Sequence, residues 1–285
     1  MLFLLISCAG SPREQGREKV TASEKDSLLK YPVVLVHGII AHDRRTYLVD
    51  FWGRIPDILK ENGIDVFLGN TDAWGSCESN AEILKSTIDK TLLLTEAEKV
   101  NIIAHSKGGL DSRYLIWKYD YGDKIASLTT VSTPHHGAEL ADLIFQRKII
   151  HSRIAKNALK IFGELYGDSN PDLYNVNHQL TTDKMKEFNE VIQMDPGVYC
   201  QSIYTTLKNS FDDMMFFYSH WYIKSVCGPN DGMVSEKSAK WGDNTLKIEG
   251  ISHAEILDYK KRNISRKNIP DIYLSIVRDL SKKGF

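Results

Sequence analysis

The sequence predicts an α/β fold with a mostly parallel central sheet flanked by helices and one helical insertion. Three observations predict it. Short β-branched runs such as Val33-Val34-Leu35-Val36 stop at Gly or turn residues and read as strands buried on both faces. Segments with apolar residues at helical spacing separate these runs, as the crossovers between parallel strands require. The alternation breaks once, from Ala138 to about Asp195, where apolar stripes continue without a convincing strand.

The elements follow in order. Pro32 to Gly38 is the first strand. Asp50 to Asn62 carries Phe51, Ile55, Ile58 and Leu59 at helical spacing, and Asn62-Gly63 ends it. Ile64 to Leu68 is a second strand. Ser79 to Leu94 is a helix that turns Ile83, Leu84, Ile88 and Leu92 inward. Val100 to Ala104 is a third strand, Lys107 to Tyr119 the helix leaving it, and Ile125 to Val131 a fourth strand. After the insertion, strand character returns at Gly197 to Ile203 and Thr245 to Glu249. Asn268 to Ser281 closes the chain as an amphipathic helix.

The chain has 285 residues, 42% apolar and 26% charged, with a net charge of −1. This length suits one large α/β domain, over 31–285, needing no metal or disulfide staples. The interspersed charges lack the concentrated basic face that nucleic-acid binding needs. No stretch reaches the roughly 20 apolar residues of a spanning helix. At the amino end, residues 1–8 form a short apolar, signal-like segment. Within it Leu5-Ile6-Ser7-Cys8 resembles a bacterial lipoprotein cleavage box. On that reading Cys8 carries lipid, residues 9–30 are a polar tether, and the protein sits in the cell envelope or is secreted. A few disordered apolar residues are the plainer alternative. Of the four cysteines, Cys77, Cys200 and Cys227 remain, and Cys200 with Cys227 is the pair expected in an oxidising compartment.

The chemistry concentrates at Ala104-His105-Ser106-Lys107-Gly108-Gly109, where a strand ends and a helix begins. A serine in so tight a turn holds its hydroxyl clear of the backbone, and small residues two before and two after it avoid a clash. Ala104 and Gly108 meet that need, and the helix N-terminus favours a developing oxyanion. Such a nucleophile needs a base, and the base needs an acid. His253 lies directly after the strand Thr245–Glu249 and is the expected base, with His220 as the fallback. Asp231, in the turn Pro229-Asn230-Asp231-Gly232, is the expected acid, with Asp212, Asp213 and Asp243 as competitors. Two backbone N–H groups complete the site: Lys107, after the nucleophile, and Ile39, in the loop His37-Gly38-Ile39. The Lys107 side chain reads as a solvated helix-start residue.

Val34-Leu35-Val36-His37-Gly38, Phe51-Trp52-Gly53-Arg54-Ile55, the Ser106 turn, Ser132-Thr133-Pro134-His135-His136-Gly137, Asn230-Asp231-Gly232-Met233-Val234 and His253 occur in that order. Together they resemble the bacterial triacylglycerol lipase family, from about Tyr31 to the end. The resemblance implies the α/β-hydrolase fold and a lipase or esterase using Ser106, Asp231 and His253 on lipid or other acyl esters. It also implies that the insertion, about 138–195, is a lid. Many members hold a structural calcium near the catalytic His through an acid two positions after it. Here that position is Glu255, with Asp212 or Asp213 as the second acid. The residues themselves call for no cofactor and no metal, so calcium stays open. The disulfide of secreted relatives is not reproduced, because Cys200 and Cys227 both precede Asp231. A membrane-associated phospholipase or acyltransferase would use the same three residues. An inactive lipid-binding envelope protein would not need them.

Overall fold

The computed structural model describes residues 28–39, 41, 43, 50–145, 172–242 and 244–285. Segment 1–8 with Cys8, most of the tether, Asp243 and the middle of the insertion lie outside the described residues.

Among the described residues, six strands form one sheet: β1 (Val33–Val36), β2 (Val66–Leu68), β3 (Val100–His105), β4 (Ile125–Val131), β5 (Tyr199–Thr206) and β6 (Thr245–Glu249). Their order is β2-β1-β3-β4-β5-β6, and every pairing is parallel. The chain runs outward from β1 to β2, then crosses back to place β3 on the other side of β1. Such a reversal opens a crevice at the carboxyl ends of the two strands, where open α/β sheets bind ligands.

Residues two apart along a strand share a face, and the core divides accordingly. Val33, Leu35 and Ile103 face a cluster with Ile55 and Leu59 of α1 (Ile55–Glu61) and with Tyr273, Val277 and Leu280 of α9 (Ile269–Lys282). Val34, Val36, Ile102 and Ala104 face α2 (Cys77–Thr95) and α3 (Lys107–Tyr119) through Leu84, Ile88, Leu115 and Ile116. Each buried Leu or Ile contributes roughly 1.5–3 kcal/mol.

Several boundaries differ from the sequence reading for identifiable reasons. Helix α2 starts two residues early because Ser76, not a later residue, accepts the Ser79 N–H as its cap. Leu28 and Leu29, assigned to the tether, belong to the packed body: Leu29 is buried against the α1–α9 side, and Lys30 N–H donates to the Phe285 carbonyl. Cys200 and Cys227 are free thiols. Cys200 lies on β5 with its thiol on the Val198 carbonyl, and Cys227 ends a helix beside Glu139.

The insertion's described parts are α4 (Glu139–Phe145), α5 (Leu173–Gln179) and α6 (Thr182–Val191). Ala141, Leu173, Val176 and Met185 pack with Trp74 and Leu110, and Ile39 lies half-buried against the same cluster. The sequence shows no clean stripe for α7 (Phe217–Cys227), because Tyr218 and Trp221 are exposed while His220 and Ile223 are buried. The short α8 (Glu236–Ala239) follows before β6.

Candidate active site

Strand β3 carries Ser106 to the carboxyl edge of the sheet, where its N–H still donates to Val131 O at 2.8 Å. Its φ of 53° and ψ of −131° lie where a non-glycine residue is strained. The strain is held by close packing on three sides. A Cβ on Gly38 would meet Ser106 Cβ at 2.5 Å, and one on Gly108 would meet His37 O at 2.4 Å. On the third side, Thr133 Oγ1 donates to Ser106 O at 2.7 Å, in space that a Cβ on Gly109 would invade. Ser106 is the N-cap of α3, yet its hydroxyl makes no capping bond. A serine here would ordinarily satisfy an amide of its own helix. This one turns away instead.

It turns to His253. Ser106 Oγ and His253 Nε2 are 2.9 Å apart, and His253 Nδ1 is 2.8 Å from Asp231 Oδ2. Ionised Asp231 can only accept, so Nδ1 carries the proton and Nε2 offers its lone pair to the Ser106 hydroxyl. The backbones are joined as well, His253 N–H donating to Asp231 O at 2.9 Å. Ser106, His253 and Asp231 are 5%, 7% and 1% exposed.

The Asn230-Asp231-Gly232 turn does more than reverse the chain. Asp231 Oδ1 accepts the Met233 and Val234 N–H groups at 3.0 and 2.8 Å, and Thr205 Oγ1 donates to Oδ2 at 3.4 Å. Burial alone raises the Asp231 pKa. The proximity of His253, its hydrogen bond and the two amides outweigh burial and leave the pKa below the ordinary value.

Ile39 lies in the loop leaving β1 and Lys107 opens α3 directly after Ser106, at the carboxyl ends of the neighbouring strands β1 and β3. Among the described residues, no backbone carbonyl accepts either N–H. His37 Nδ1 donates to Gly38 O at 2.8 Å. Because the peptide is planar and trans, that bond directs the Ile39 N–H the opposite way.

The Lys107 side chain is a correction. It is 1% exposed, not solvated, and its ammonium pairs with Asp111, whose other oxygen accepts from Asn80 Nδ2 at 2.9 Å. Burial lowers the Lys107 pKa, but Asp111 more than reverses this, leaving it raised. A lysine at a helix start reads as solvated by itself; the carboxylate one turn later, at i+4, was the available signal.

The competing residues have other work. His220 Nδ1 bonds Ser210 Oγ at 2.8 Å, and Asp212 accepts the Lys208 and Asn209 N–H groups. Asp213 Oδ2 accepts from Ser252 Oγ at 2.7 Å. Sequence reasoning gave no role to Thr133, Thr205 or Lys260. It also gave none to Arg54, which grips Asp258 through Nε and Nη2 at 2.8 and 2.7 Å. That last pair explains the Gly53-Arg54 segment: a Cβ on Gly53 would lie 2.2 Å from Asp258 O.

A buried carboxylate–imidazole–hydroxyl relay beside a helix N-terminus can activate the hydroxyl and stabilise an oxyanion. Known proteins similar to this chain are lipases and esterases. The family described as lipase (class 2) matches residues 30–272. A triacylglycerol lipase of Saccharomyces cerevisiae is 31% identical over 264 residues, covering 83% of this chain and 75% of the relative. A triacylglycerol lipase of Burkholderia plantarii is 36% identical over 126 residues, covering 43% of this chain. That match spans only 35% of the Burkholderia protein's length. In fold, the chain resembles the Staphylococcus hyicus lipase, with a TM-score of 0.71 at 17% identity over 90% of this chain and 97% of that one. A metagenomic carboxyl esterase gives 0.72 at 17% identity, over 97% and 82%.

Proposed function

The chain belongs to the class 2 lipase family, and on that premise we propose that Ser106, His253 and Asp231 hydrolyse lipid esters through an acyl-enzyme. His253 Nε2 takes the Ser106 proton as Oγ attacks the ester carbonyl. The Ile39 and Lys107 N–H groups receive the resulting oxyanion. His253 then returns the proton to the departing alkoxide, leaving an ester on Ser106. Water, deprotonated by His253, cleaves that ester and releases the acid. Asp231 holds the imidazole in the required tautomer and stabilises its charge.

The observation that carries this reading is the strained Ser106, whose hydroxyl forgoes its own helix to sit 2.9 Å from His253 Nε2. Ser106→Ala is expected to lower kcat on a p-nitrophenyl ester by about 10⁶. A loss of less than tenfold contradicts it.

The relatives' names direct the substrate proposal to acylglycerols. Purified protein should release fatty acid from triacylglycerol faster than from phospholipid, and the reverse preference would assign it to phospholipids. No helix among the described residues is long and apolar enough to cross a membrane. We propose that Cys8 anchors the protein through lipid in the cell envelope. Cys8→Ser should then move it from the detergent phase to the aqueous phase, and unchanged partitioning argues against the anchor.

A further inference from the structure

We propose that Lys260 is a positioning residue for His253: its ammonium is the cation that joins two buried carboxylates beneath the turn bearing the base. The inference rests on the assignment of His253 as the base in the proposed function.

Asp213 and Glu255 come from distant parts of the chain and converge on Ser252, the neighbour of His253. Their side chains are 5% and 4% exposed. Lys260 Nζ lies 2.6 Å from Glu255 Oε1 and 3.6 Å from Asp213 Oδ2. Asp213 Oδ2 also accepts from Ser252 Oγ at 2.7 Å, and the other two oxygens have donors of their own: Ser252 N–H to Glu255 Oε2 at 3.2 Å and Met215 N–H to Asp213 Oδ1 at 3.2 Å. The arrangement clamps residues 252–255 from both sides, with His253 inside the clamp.

The family resemblance raises calcium at this place, and these residues do not fit it. Calcium takes six to eight oxygens at 2.3–2.6 Å. Here an ammonium already contacts both carboxylates, and a divalent ion among the same oxygens would face its repulsion. Among the described residues, no group of three or more His, Cys, Asp or Glu could hold a metal. A tethered lysine supplies the positive charge instead, and it cannot be chelated away.

Without that charge, two buried carboxylates repel across Ser252. The repulsion acts on the turn that sets the His253–Ser106 contact, so it should appear in turnover and not in substrate binding. Displacements approaching 1 Å in such a contact cost on the order of 10²-fold in rate.

The test is Lys260→Met, which keeps the stem and removes the ammonium, assayed on a soluble p-nitrophenyl ester beside Lys260→Arg and Ser106→Ala. The expected result is a fall in kcat of about tenfold or more for Lys260→Met with KM within about twofold. Lys260→Arg should keep at least roughly a third of the wild-type kcat, because it retains the charge. Wild-type kcat and melting temperature should be unchanged by EDTA, an arm that needs no variant to fold. Wild-type kcat in Lys260→Met, or an EDTA-induced loss of melting temperature reversed by calcium, overturns the proposal. Retained activity in Ser106→Ala would instead defeat the underlying reading of the site.

Discussion

His105 Nε2 donates a hydrogen bond to the backbone carbonyl of His253 at 2.9 Å, so the residue before Ser106 holds the residue proposed as its base. A carbonyl can only accept, which puts the His105 proton on Nε2. The two rings lie 4.7 Å apart, and His105 Nδ1 is buried with no hydrogen-bond partner among the described residues. The Ser106 turn and the proposed base are thus tied by a bond independent of the Ser106–His253 contact. His105→Phe fills similar space but cannot donate. Losing one such bond costs about 1 kcal/mol, so kcat should fall roughly five- to tenfold with KM little changed. Steady-state kinetics check this, and an unaltered kcat contradicts the positioning role.

Burial drives the His105 and His135 pKa values well below the ordinary imidazole range, helped by His253 near the first and Arg113 near the second. Arg113 Nη1 donates to His135 Nδ1 at 3.2 Å, and the His135 ring stacks on Trp241. Both imidazoles are therefore neutral in the fold but protonate in the unfolded chain. A depressed folded pKa gives stability that is full above the unfolded value, about 6.5, and lost as pH falls below it. Melting temperature should drop between pH 7.5 and 5.5. His135→Gln should flatten that drop while lowering the melting temperature at pH 7.5.

The Lys107–Asp111 pair makes a different kind of prediction. Lys107→Met leaves Asp111 as a buried charge supported by neutral donors alone, the Asn80 amide and the Cys77 thiol. Breaking such a pair costs about 3–5 kcal/mol, or roughly 6–20 °C in melting temperature for a chain of this size. Adding Asp111→Leu removes the stranded charge and should recover part of the loss. Calorimetry of the single and double variants decides it, and a double variant less stable than the single one contradicts the argument.

Gly38→Ala tests the packing that keeps Ser106 strained. The new methyl would approach Ser106 Cβ, not flexible surface, so Ser106 must move. Displacement at the reacting atom predicts a loss of about 10²-fold in kcat. Activity equal to wild type would mean that this contact does not set the serine's position.

Much of this architecture was legible from the sequence because strand and helix periods are local properties. Lys107–Tyr119, Ile125–Val131 and Thr245–Glu249 have the same bounds in sequence and structure. The sheet order was not legible, because nothing local tells β3 to return across β1. Ser106, Asp231 and His253 could be chosen by chain order and turn chemistry, and the structure brings them into hydrogen-bond contact. Supporting residues were harder. Lys107 and Lys260 look like surface lysines until their carboxylate partners are placed beside them, and one partner, Asp213, is 47 positions from Lys260 in number but adjacent in space. Helix α7 was hidden for a related reason: its apolar residues face outward as well as inward.

The most direct test of the central claim is to treat folded protein with a fluorophosphonate and map the adduct by peptide mass spectrometry. Ser106 is the hydroxyl expected to be activated by His253, so one adduct should appear, on the peptide containing Ser106, and it should vanish in His253→Ala. Labelling at a different serine, or no labelling of protein shown to be folded, would contradict the account.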